Sequence, residues 1–119
     1  MNYSIVYYEK ESGECPVREF IQQFDAVREM PAIYARMALL EEHGPRLKRP
    51  YADFLREKIY ELRFKIAKKQ VRILYFFAPN QAIILTNAFF KKTANVPENE
   101  IERAIRHRRD YLIKHGEKP

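Results

Sequence analysis

At 119 residues and 14.3 kDa the chain is about the length of one domain, and a make-up of 46% hydrophobic and 32% charged residues excludes intrinsic disorder. One cysteine excludes a disulfide framework and a cysteine-based zinc site, three glycines and seven prolines exclude collagen-like or low-complexity sequence, and no apolar run approaches the ~18–20 residues of a membrane span. The net charge of +6 is unevenly spread: residues 1–45 hold four bases and eight acids, residues 46–119 hold 18 bases and eight acids, a split that points to a polyanion meeting the second half.

The opening MNYSIVYYEK lacks the basic-then-apolar order of a signal peptide, so a cytoplasmic protein is expected. Within it, residues 3–8 read as a strand of β-branched and aromatic residues. A turn at Glu11–Ser12–Gly13–Glu14 leads into CPVREFIQQF, where Val17, Phe20, Ile21 and Phe24 share one helical face. Pro16 suits the first helical position, which leaves Cys15 at the N-cap in a structural role. A second helix is expected from Met30 to His43, with Ile33, Met37 and Leu40 inward and Tyr34 at the edge of the stripe. Gly44 offers a left-handed stop and Pro45 forbids continuation.

Residues 46–57 read as a basic connection anchored by Phe54 and Leu55. In IYELRFKI, Tyr60, Leu62, Phe64 and Ile66 alternate with Ile59, Glu61, Arg63 and Lys65, the period-2 pattern of a strand with a core face and an open face. A turn at Ala67–Lys68–Lys69–Gln70 predicts antiparallel pairing with VRILYFF. A second turn at Ala78–Pro79–Asn80–Gln81 precedes a third strand, AIILTNAFF. The last helix starts at Pro97 and runs through ENEIERAIRHRRDYLIK, with Ile101, Ala104, Ile105 and Leu112 as its apolar stripe. The expectation is a single α+β domain over residues 1–119 in the order β-α-α-β-β-β-α. Its four-stranded, mostly antiparallel sheet would carry the helices on one face.

Familiar catalytic signatures are absent from the sequence. There is no phosphate-binding glycine loop and no HExxH pair, and His43, His107 and His115 have no ligand spacing. The two serines, Ser4 and Ser12, exclude a serine-hydrolase triad. No metal and no cofactor is expected. What remains is the open sheet face, where Glu61, Arg63 and Lys65 project from one strand and Arg72 fills the polar slot of VRILYFF. Arg72 either meets an anion there or pairs with Glu61 across the sheet. Because it lies opposite Ile73, its truncation is expected to cost little stability. As a group these residues suit metal-free attack of a 2′-OH on the neighbouring RNA phosphate. Cations would hold the developing charge and Glu61 would accept the proton.

The run KIYELRFKIAKKQVRILYFF, followed by AFFKKTANVPENEIERAIRHRRDY, resembles the phage-derived, HigB-like branch of the RelE/ParE toxin superfamily. The likeness rests on the YELR strand, the VRILYF strand, the FFKKT element and the final helix opening PENEIERA, in that order. It implies a RelE-like fold and the toxin of a type II toxin–antitoxin pair. Such a toxin cleaves mRNA on the ribosome without metal and is neutralised by a co-encoded antitoxin, often a helix-turn-helix protein. Carried over, it makes Arg72 the phosphate contact, Lys91 and Lys92 the basic pair after the last strand, and Glu61 the proton acceptor. Arg63, Lys65, Lys68, Lys69 and Lys58 are then expected to hold RNA or ribosome. Two positions depart from the pattern: Arg56–Glu57–Lys58 stands where relatives have a glycine-rich turn, and Val96 where they have threonine. Two alternatives stay open, a ParE-like toxin that poisons DNA gyrase without nuclease chemistry and an inactive or regulatory member.

Overall fold

Five strands rather than four make the sheet, and the extra one comes from the segment read as a connection. The computed structural model describes residues 2–119. Its elements are β1 (Ser4–Tyr7), α1 (Pro16–Ile21), α2 (Met30–His43), β2 (Ala52–Arg56), β3 (Ile59–Ile66), β4 (Lys69–Ala78), β5 (Ala82–Lys91) and α3 (Glu98–Lys114). The strand order is β1-β5-β4-β3-β2, with β1 parallel to β5 and the other neighbours antiparallel. The α+β class therefore stands as expected. β2 was not legible as a strand because it is short and lies at an edge, where Phe54 is half exposed and no strict alternation is needed.

Leu62, Phe64 and Ile66 do point to one side of β3, together with Val71, Ile73 and Tyr75 of β4. Val17 and Ile21 of α1 and Ile33, Met37 and Leu40 of α2 cover them, so the two early helices share one face. Cys15 is the N-cap of α1 and Pro16 its first residue, as the sequence implies. That helix ends at Ile21, short of Phe24. Phe20 and Phe24 instead close over Phe90, with ring centroids at 5.0 and 5.8 Å. At the end of α2, Gly44 takes φ 52°, ψ −129°, and the Tyr3 ring lies where a Cβ would be. Only glycine meets both demands.

The third helix corrects the expectation of helices on one face. α3 packs on the opposite side of the sheet, over Leu74 and Phe76 of β4 and Ile84 and Phe89 of β5. The physical reason lies in VRILYFF itself. Only Arg72 breaks its apolar run, so most of the strand needs cover on both faces. Burying a side chain such as Phe76 is worth ~1.5–3 kcal/mol, which an open sheet face would forfeit. At the far end of this second core His107 stacks on Tyr8 with centroids 4.4 Å apart, and Tyr8 donates to Asp110 Oδ2 at 2.6 Å. α3 leaves one end of its face uncovered, and the candidate site lies there. No helix among the described residues is long and apolar enough to cross a membrane.

Candidate functional site

The pleat sends Glu61, Arg63 and Lys65 of β3 to the α3 side, and antiparallel register puts Arg72 of β4 directly opposite Arg63. Two cations facing each other at this spacing need a shared counterion. Glu61 supplies it. Its Oε1 lies 3.2 Å from Arg72 Nε and its Oε2 accepts from Arg63 Nη1 at 2.9 Å. Glu61 and Arg72 are 2% and 3% exposed, so the pair expected as an alternative to ligand binding is present and buried. Burial first, then the neighbouring Arg63 charge, lower the Arg72 pKa, and Glu61 opposes both. Arg72 Nη1 also donates to the Val71 carbonyl at 3.0 Å and to Gln70 Oε1 at 3.3 Å. The Nε–Oε1 contact is an ion pair without an aligned hydrogen bond, so both atoms keep bonding capacity.

This burial corrects the idea that Arg72 can be truncated at little cost. The face is not open above it, and its removal would leave the Glu61 carboxylate buried with one partner.

Above Glu61 and Arg63 lies a cleft of about 410 Å³. Arg49, Asp53 and Arg56 wall it on the β2 side, Lys91 at the end of β5, and Asn95, Glu98 and Ile101 at the entry to α3. Asp53 pairs with Glu61 in the β2–β3 register and therefore shares its face. Its carboxylate is bound by Arg49 through Nη2 at 2.8 Å and Nε at 2.9 Å, and its side chain keeps 35% of its exposure. Arg56 ion-pairs with Glu57 and Glu98, tying the β2–β3 turn to the first turn of α3. Asn87 donates to the Glu100 carbonyl and carboxylate at 3.2 and 3.0 Å, which fixes α3 against β5.

The residues singled out in the sequence divide among three places. Glu61, Arg63 and Lys91 meet in the cleft. Lys65 and Arg72 line a neighbouring notch with Arg63. Lys68, Lys69 and Lys92 gather with Lys91 around the β3–β4 hairpin tip, where Lys69 Nζ lies 4.9 Å from the Phe90 ring centroid. Lys58 stands apart in the β2–β3 turn, at the opposite end of β3 from Lys68. Lys91 and Lys92 are thus not equivalent: Lys91 lines both the cleft and the hairpin-tip cavity, Lys92 only the second. Sequence reading missed Arg49, Asp53 and Arg56. Their signal was the basic charge of residues 46–57, which gave no face without the β2 register. Among the described residues no three His, Cys, Asp or Glu side chains gather as a metal-ligand group.

The chain is a small α+β protein with a five-stranded sheet, and at the uncovered end of that sheet lies a cleft where Arg49, Arg56, Arg63 and Lys91 stand among Asp53, Glu61 and Glu98. The family model described as phage derived protein Gp49-like (DUF891) matches residues 19–109, and the chain belongs to that family. No curated protein matches the chain.

Proposed function

We propose that the chain is the toxin of a type II toxin–antitoxin pair, of the HigB-like kind, and that it cleaves mRNA on the ribosome without a metal ion. The observation that carries this reading is the cleft lined by Arg63 and Lys91, with the Glu61 carboxylate bound to Arg63 in its wall. Membership of the phage-derived Gp49-like family and the basic second half of the chain support it. In this reading the scissile phosphate sits between Arg63 and Lys91. Their charges stabilise the additional negative charge that gathers on the phosphorane oxygens. Glu61 and Arg72 act as positioning residues, since both oxygens of Glu61 are turned to arginines. The attacking 2′-OH gives its proton to Asp53, a carboxylate that lines the cleft and keeps about a third of its exposure. The 2′-oxygen closes a 2′,3′-cyclic phosphate as the P–O5′ bond breaks, the leaving 5′-oxygen takes a proton from solvent water, and the hydroxide left takes the proton held by Asp53.

A cationic surface of this kind needs a partner when translation must continue. An antitoxin with acidic or amphipathic elements, a helix-turn-helix protein among the candidates, would cover the cleft or bar it from the ribosome. The test is cleavage of ribosome-bound mRNA by the purified chain in excess EDTA, with end-group analysis of the product. A 2′,3′-cyclic phosphate end that disappears with Arg63→Ala supports the reading. No cleavage by the folded wild-type chain on any programmed ribosome sinks it.

A further inference from the structure

A second cavity, of about 350 Å³, opens where β3 runs on past the beginning of β2. Ala52 of β2 pairs with Leu62, so the β3 residues after it have β4 on one side and no strand on the β2 side. The Tyr51 carbonyl covers the Arg63 N–H at 2.8 Å and brings the Tyr51 side chain to the rim. The lining that results is Arg36 from α2, Tyr51, Arg63, Lys65, Gln70 and Arg72. Four of these side chains are cations and none is a carboxylate. Gln70 Oε1 and the Val71 carbonyl hold Arg72 Nη1 in the inner wall, so that wall is fixed and not a loose surface charge. At the rim the Arg36 guanidinium lies 5.0 Å from the Tyr51 ring centroid, and Tyr51 keeps 38% of its exposure.

We propose that this notch is a second nucleotide subsite, holding the phosphate and base of an mRNA nucleotide next to the one in the cleft. The inference rests on the RNA reading above and adds to it a base-contacting pair, Arg36 and Tyr51. Two features favour a nucleotide over a bare anion. An inorganic anion would use the cations and leave the exposed Arg–Tyr stack without a role. A single-stranded nucleotide uses both, with its phosphate on Lys65 and Arg63 and its base on the stacked π surface. Arg63 lines both cavities, so a chain passing from cleft to notch has one cation common to both. Stacking accepts every base, so the notch adds affinity and register without demanding one sequence.

The experiment is single-turnover cleavage of ribosome-bound mRNA as a function of toxin concentration. Tyr51→Ala raises the half-saturating concentration roughly tenfold, the usual size of one lost base–aromatic stack, and leaves the plateau rate unchanged. Tyr51→Phe, which keeps the ring, stays within about twofold of wild type. mRNAs with an abasic nucleotide at each position beside the cut separate mRNA contact from contact with the ribosome. At one position the abasic change and Tyr51→Ala have the same effect singly and no greater effect together. Lys65→Ala, on an exposed side chain, lowers the salt slope by about 0.7, the value for one released counterion on a single strand. Additive losses at every position, or a fall in plateau rate with unchanged half-saturation, overturn the subsite. If the wild-type chain cuts no ribosome-bound mRNA, the proposed function falls and the subsite with it. If it cuts and Tyr51→Ala is indistinguishable from it, the subsite alone falls.

Discussion

Arg72 and Glu61 sit diagonally on adjacent strands, Nε to Oε1 at 3.2 Å, with both side chains almost wholly removed from solvent. A charge pair in this setting stabilises little against an apolar pair, but either partner left alone is costly. Arg63 touches the same carboxylate and keeps one side in the cleft. The triad therefore links a buried charge to an exposed one, and a change at Arg72 is felt at Arg63.

Arg72→Ala should consequently lower stability by ~3 kcal/mol, because the buried Glu61 loses a partner. Arg72→Met combined with Glu61→Leu should be less damaging than Arg72→Ala alone, since no buried charge is stranded and Arg63 can turn to solvent. Urea unfolding at neutral pH measures both. A double variant less stable than the single would show that the pair itself holds the sheet end together.

Arg63→Ala and Lys91→Ala should keep the fold and cut mRNA cleavage by about 10²-fold each, as removal of one charge-stabilising donor does elsewhere. Lys92→Ala should stay within about threefold, since it lines the hairpin-tip cavity and not the cleft. Ribosome-bound mRNA cleavage by the three proteins side by side decides the matter. Equal losses at Lys91 and Lys92 would mean that the substrate wraps the tip of the β3–β4 hairpin instead.

The β2–β3 turn is a site for gain rather than loss. Glu57 and Lys58 adopt φ 48° and 69°, left-handed values that cost a side chain with a Cβ roughly 1 kcal/mol each. This two-residue turn occupies the place where relatives have a glycine-rich one, and it joins strands that pair Arg56 with Ile59. Lys58→Gly should raise stability by ~0.5–1 kcal/mol, read as a shift in the thermal midpoint, with no change in cleavage. Lost cleavage at unchanged stability would give Lys58 the RNA contact expected from its charge.

How much of this was legible differs by element, for physical reasons. The α2 stripe and the alternation in β3 were readable because each buries one face, and a one-sided face leaves a period. The run in β4 was readable as a strand but not as a two-sided one. Its inward Ile73 and outward Leu74 are both buried, and two apolar faces carry no alternation. A strand of this kind does not tell which face a following helix covers, and α3 covers the face that the alternation in β3 marks as open. Within the site, Glu61, Arg63, Arg72 and Lys91 lie on strands whose register follows from tight turns. Asp53, Arg49, Tyr51 and Arg36 come from an edge strand, its approach and a helix, and only the tertiary fold brings them beside β3.

His107 supplies the pH dependence. It is 8% exposed, stacks on Tyr8, and has Nδ1 3.1 Å from the Thr86 carbonyl, so the neutral ring donates its Nδ1–H there. Burial pushes its pKa down to about 4, with Lys10, Arg103 and Arg106 adding to the shift and the Thr86 bond opposing it. The unfolded chain binds this proton near pH 6.5, the folded chain only near 4, so the unfolded state binds more protons in between. Stability from this residue is therefore complete above about pH 6.5 and is lost as pH falls towards 4, by up to ~3 kcal/mol. Asp110 lies close by, and the hydrogen bond from Tyr8, followed by that from Lys114, lowers its pKa. Its own loss thus falls at more acid pH than that of His107. Urea unfolding from pH 7.5 to 4 should show the decline in wild type. His107→Gln keeps a side-chain donor for Thr86 but does not titrate, and it should flatten the curve over that interval. A decline that persists unchanged in His107→Gln would move the acid sensitivity to another group, and a wild-type curve flat down to pH 4 would mean that the buried ring takes up its proton in place.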